Sequence, residues 1–114
     1  MATHLDQALL AELHALMGDD FALLLETYLE ESGREFEAAN RACANGDLDA
    51  LRRNAHSLKG SALNIGAFVL SELCAQLEAR ARDEAQPRVA RLLEQAGIEL
   101  SAVQAEVSEV RQQS

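Results

Sequence analysis

The sequence has no tryptophan, one proline and only 4% aromatic residues among 114. Its apolar 48% is drawn mostly from Leu and Ala, a composition that favours helix almost everywhere. Cations are scarce too. A formal net charge of -9 argues against nucleic acid and anionic membrane as partners, since both demand an excess of Lys and Arg. No apolar run approaches the ~20 residues that span a bilayer, and MATHLDQ lacks the charged start and apolar stretch of a leader, so a cytoplasmic protein is expected. Cys43 and Cys74 have no metal-ligand spacing and fall at or near apolar helix positions, where core packing in a reducing compartment accounts for them. Neither an acidic Mg cluster nor a nucleotide-binding glycine loop is present. The length suits one domain over 1–114 and is too short for a kinase domain besides, so a free-standing protein is expected.

What the sequence does have is helical periodicity. Leu5, Leu9, Leu13 and Leu16, with Ala8 and Leu10 beside them, predict a short helix over about 5–17 with Asp6 in its first turn, stopped by Gly18. Asp19 or Asp20 can cap a long helix over about 20–45, whose stripe is Phe21, Leu25, Tyr28, Ser32, Phe36, Ala39 and Cys43. Its acids, Glu35 among them, read as a solvated face with helix-stabilising pairs. Asn45-Gly46-Asp47 ends that helix and caps the next, over about 48–65. Gly66 is a further exit, after which Phe68, Leu70, Leu73, Cys74, Leu77 and Ala81 continue the period over about 67–82. Pro87 suits the start of a last helix over about 87–111, with a seam of Val89, Leu93, Ala96, Leu100, Val103, Val107 and Val110. That seam could serve a two-chain coiled coil, but three other amphipathic segments of the same chain are available to cover it. The expectation is an all-α fold, an antiparallel up-down-up-down four-helix bundle with the short N-terminal helix capping one end. His4 and His14 have no ligand partners at helical spacing and read as surface residues.

The third predicted helix carries the chemistry. Leu51, Ala55, Leu58, Ala62 and Ile65 lie within about 40° of one line along it, and His56 stands about 140° from that line, facing solvent. One turn away stand Arg52 and Arg53 on one side and Lys59 and Gly60 on the other, with Leu63 a turn further ahead. These neighbours fit an imidazole that accepts a phosphoryl group from a partner protein. Neutral imidazole is a competent nucleophile near neutral pH, and Lys59 can hold phosphate oxygens as a mobile point charge. Gly60 costs a helix interior roughly 0.5–1 kcal/mol relative to alanine, so close approach of a second protein's backbone would supply its reason. Leu63 would add apolar contact.

The run AHSLKGSALNIGA, Ala55 to Ala67, resembles the signature of histidine-containing phosphotransfer (HPt) domains of two-component phosphorelays. The histidine, the lysine three on, the glycine four on and the Asn-x-Gly helix exit fall in one register. Leu5 to Leu13, Gly18-Asp19-Asp20, Gly46-Asp47 and Leu73-Cys74-x-x-Leu77-Glu78 extend the likeness over nearly the whole chain. The resemblance implies that His56 is the phosphorylated residue, Lys59 the phosphate-side lysine and Gly60 the small residue that admits a receiver domain. Leu63, Arg53, Arg52 and Ala67 would be docking surface. Glu78 stands where some members have a glutamine that orients the imidazole, and its own role stays open. The expected protein is a carrier and not an enzyme, a monomer without cofactor or metal of its own. It would exchange phosphoryl groups with receiver domains of hybrid sensor kinases and response regulators, with Mg on the receiver. Two other readings stand beside this one. A helical module could bind a receiver or kinase without phosphotransfer, and would not need His56. A metal or cofactor bundle would need inward Glu-x-x-His sets, which the stripes lack.

Overall fold

The computed structural model describes residues 4–82 and 86–113, all the regular structure among them helical. Five helices follow in order: α1 (Gln7–Met17), α2 (Asp20–Ala44), α3 (Leu48–Asn64), α4 (Phe68–Arg82) and α5 (Gln86–Gln113). Each of α2 and α4 packs against both α3 and α5, so the four longer helices are neighbours in a closed ring. The expected loop from Asp83 to Gln86 lies outside the described residues up to residue 85. At Gln86, one residue before Pro87, α5 has already begun.

Two turns are built the same way. After α2, Asp47 N donates to Ala42 O at 2.9 Å and Gly46 N to Cys43 O at 3.1 Å, with Gly46 at φ +70°. After α3, Ala67 N donates to Ala62 O at 2.9 Å and Gly66 N to Leu63 O at 3.2 Å, with Gly66 at φ +76°. This is the left-handed helix exit in which glycine pays no steric penalty and orphan carbonyls find donors. Gly66 is constrained twice over, because a Cβ there would lie 2.8 Å from Asp6 Cβ. Its carbonyl accepts from Asp6 N at 2.9 Å, which ties the start of the chain to the α3–α4 turn. Asp47 caps α3 through Ala50 N, and Asp6 caps α1 through Leu9 N instead of sitting in its first turn. Neither Asp19 nor Asp20 makes the expected side-chain cap on α2: Asp19 is already helical in φ and ψ, and Phe21 N bonds to Gly18 O.

The core follows the stripes, with corrections at the ends. Leu51, Ala55, Leu58, Ala62 and Ile65 are all buried, and so are Val89, Leu93, Ala96, Leu100, Val103 and Val107 within the single chain. In α1 the inward line is Leu10, Leu13 and Met17, while Leu16 is 83% exposed. The tie at Asp6 fixes how α1 rolls, which periodicity in a helix of three turns cannot do. Phe68, assigned to the α4 stripe, is half exposed because α4 begins there and the inward line starts at Leu70. His4 is less isolated than expected: its Nδ1 lies 2.8 Å from Glu99 Oε2 and its N donates to Glu106 Oε2 at 3.0 Å, both on α5. One group of core side chains gathers around Leu58 toward the α1 end and another around Ala55 toward the α2–α3 turn. His56 leaves α3 between them.

Candidate functional site

Burial of Ala55 and Leu58 sets the rotation of α3, and that rotation turns His56 outward with its side chain 68% exposed. From α4, Glu78 reaches the ring: His56 Nδ1 and Glu78 Oε2 are 3.1 Å apart. Lys59, one turn along α3, donates from Nζ to the other oxygen of the same carboxylate at 2.9 Å. Glu78 is only 17% exposed, and the Lys59 hydrogen bond, helped by the imidazole and opposed by burial, holds its carboxyl below the usual carboxylate range. An ionised carboxylate only accepts, so Nδ1 carries the ring proton and donates it. Nε2 then keeps its lone pair on the solvent side of the ring.

The three groups divide the electrostatic work. Glu78 offers one negative charge to two donors, the imidazole and the ammonium. Here the ammonium of Lys59, the only lysine in the chain, meets that charge first. Lys59 is 28% exposed and bonded to Glu78, so any second anion would have to draw its ammonium away from that carboxylate.

Gly60 leaves bare backbone one turn from the ring: a Cβ built there would meet no atom of the described residues within 4 Å beyond its own stretch of helix. Leu63, two turns along from His56, is half exposed on the same face. The arginines are drawn elsewhere. Arg52 Nη2 lies 3.3 Å from Asp49 Oδ1 and Arg53 Nη1 3.5 Å from Asp49 Oδ2, so one exposed carboxylate turns both guanidinium groups back along the helix. Ala67 is a correction. It is fully buried, because the Gly66 exit swings it under the α3–α4 turn into the core, and it cannot be docking surface.

Glu35, expected on a solvated face, belongs to this neighbourhood. Ser57 Oγ donates to Glu35 Oε2, joining α2 to α3 beside the histidine. Its sequence signal was its place three residues after Ser32 and seven after Tyr28, on the flank of the buried stripe. Beneath Glu78, one turn back on α4, lies Cys74; burial, with Glu35 adding, pushes its thiol up to about 12, which makes it an inert packing group. Cys43 is half-buried, with its thiol free. Among the described residues no group of three or more His, Cys, Asp or Glu side chains is placed to hold a metal ion. No described helix is long and apolar enough to cross a membrane.

Comparison with known proteins agrees with the geometry. The family model of the Hpt domain matches residues 23–113. The crystal structure of histidine-containing phosphotransfer protein B from Pseudomonas aeruginosa PAO1 superposes with a TM-score of 0.94 at 36% identity, over 100% of this chain and 99% of that one. No curated protein sequence matches.

Proposed function

The chain belongs to the Hpt family, it is a histidine phosphotransfer protein of a phosphorelay, and on that premise we propose that His56 is the residue that carries the phosphoryl group. The hydrogen bond between His56 Nδ1 and Glu78 is the observation that supports this reading best, because it leaves Nε2 as the free nucleophile. Nε2 attacks the phosphorus of an aspartyl phosphate on a receiver domain. A P–N bond forms, the P–O bond to the aspartate breaks, and the carboxylate departs with the electron pair. The phosphorylated ring keeps its Nδ1 proton, and Glu78 balances the positive charge that it acquires. Lys59 shifts from Glu78 toward the new phosphoryl oxygens, and delivery to a second receiver reverses each step. Mg belongs to the receiver, so this chain acts as a carrier without a cofactor or a kinase activity of its own.

Gly60 and Leu63 form the centre of the docking surface, Gly60 by leaving room and Leu63 by adding apolar area, with Arg53 and Arg52 at its edge. We read the ring of helix contacts as one up-down-up-down four-helix bundle over 1–114 with α1 laid across one end. The partners would be receivers of hybrid sensor kinases and of response regulators, met in the cytoplasm by a monomer. A module that only binds would leave the shared Glu78 carboxylate without a task.

The test is incubation with a phosphorylated receiver. An acid-labile, alkali-stable phosphate should appear on the protein, and His56→Gln should abolish it, with His4 and His14 intact. Labelling that persists in His56→Gln would move the acceptor elsewhere.

A further inference from the structure

A cleft of about 300 Å³ runs between α4 and α5, lined by Gln76 and Arg80 from α4 and by Arg88, Arg91, Leu92 and Gln95 from α5. Gln76 and Arg80 stand about 160° around α4 from Glu78, so this surface faces away from His56. Three of the nine arginines in a chain of net charge -9 thus converge on one concavity. Among the described residues no carboxylate pairs with any of them. The neighbouring Glu72 engages Gln76 Nε2 at 3.5 Å instead.

Helix stability does not explain the charge. Arg80 in the last turn of α4 is favoured there, but Arg88 stands in the first turn of α5, where the helix dipole disfavours a cation. Guanidinium groups gathered around one cleft repel one another unless an anion joins them. The chemistry of the lining says which anion. Guanidinium forks match phosphate oxygens two at a time and stack on flat rings, the two carboxamides offer neutral donors and acceptors, and Leu92 gives an apolar floor. The volume is at the small end of ligand sites.

We propose that the α4–α5 cleft binds an organic phosphate of nucleotide size, at a site separate from His56 and independent of its role. A long acidic protein segment is disfavoured, because outside the cleft it would meet a surface of its own sign.

Amide NMR titration of the full chain tests this with ADP, pyrophosphate, adenosine and hexaglutamate as probes. ADP should shift Gln76, Arg80, Arg88, Arg91 and Gln95 saturably and more tightly than pyrophosphate, while adenosine leaves them in place. Joint Arg88→Gln and Arg91→Gln substitution, at exposed positions, should weaken ADP binding about tenfold or more while the melting temperature of the unliganded protein does not fall and phosphorylation of His56 holds. The site assignment fails if ADP produces no saturable shift, or if the double variant binds as the parent does. Pyrophosphate binding as tightly as ADP, or hexaglutamate shifting the same amides at matched concentration, would overturn the organic phosphate.

Discussion

Three glycines, Gly33, Gly60 and Gly97, stand inside helices where nothing about the backbone requires them, and the surroundings of the last two are opposite. Gly60 on α3 faces open space: beyond its own stretch of helix, no atom of the described residues lies within 4 Å of where a Cβ would be. Gly97 on α5 lies under the ring of Phe36 from α2, whose Cζ would be 2.7 Å from that Cβ. Either glycine costs its helix up to about 1 kcal/mol relative to alanine. At Gly97 the return is visible inside the molecule, as a ring seated against bare backbone in the α2–α5 seam. At Gly60 none of the described residues repays the cost, which is what the docking role proposed for it requires. The contrast makes Gly60, beside the exposed His56, the position where the proposed contact surface is most directly tested.

Substitutions can break this contrast. Gly60→Leu should slow phosphoryl uptake from a receiver roughly 30-fold or more, as expected for about 2 kcal/mol at the centre of a contact, while the melting temperature does not fall. Equal transfer in that variant would remove the docking role from Gly60. Gly97→Val should act the other way round, destabilising by about 1–2 kcal/mol because Phe36 must leave its seat, with the transfer rate of the folded protein unchanged. Chemical denaturation read beside the phosphotransfer assay separates the two variants.

A smaller effect, of about 1 kcal/mol, is expected at Glu78, where a charge-assisted hydrogen bond is at stake. Its folded pKa is lowered, so its contribution is full above the unfolded carboxyl value, about 4.3, and is lost as pH falls through the folded one. The stability gap between the parent and Glu78→Gln should therefore close on acidification below about pH 4. A gap that widens there would contradict the shared carboxylate. The smallest change expected is the gain of roughly 0.5–1 kcal/mol from Gly60→Ala, measurable as a raised denaturation midpoint.

Much of the site is local and could be read along one helix. Steps of three and four among Leu51, Ala55, Leu58, Ala62 and Ile65 determine which side of α3 is buried, and so, without any partner helix, that His56, Gly60 and Leu63 share the outer face. The fold class follows in the same way, from stripes and glycine exits repeated along the chain. What tertiary structure alone decided is every relation across helices. Glu78 is 22 residues from His56 and meets Nδ1 only because α4 returns along α3 with a rotation that intrahelical spacing does not encode. The same holds for Glu35 beside Ser57, for the roll of α1 that left Leu16 outside, and for the burial of Ala67 beneath the α3–α4 turn. Periodicity along a helix specifies angles about its own axis; the angle between two axes and their relative translation come from packing, and in this protein they set the tautomer of the imidazole.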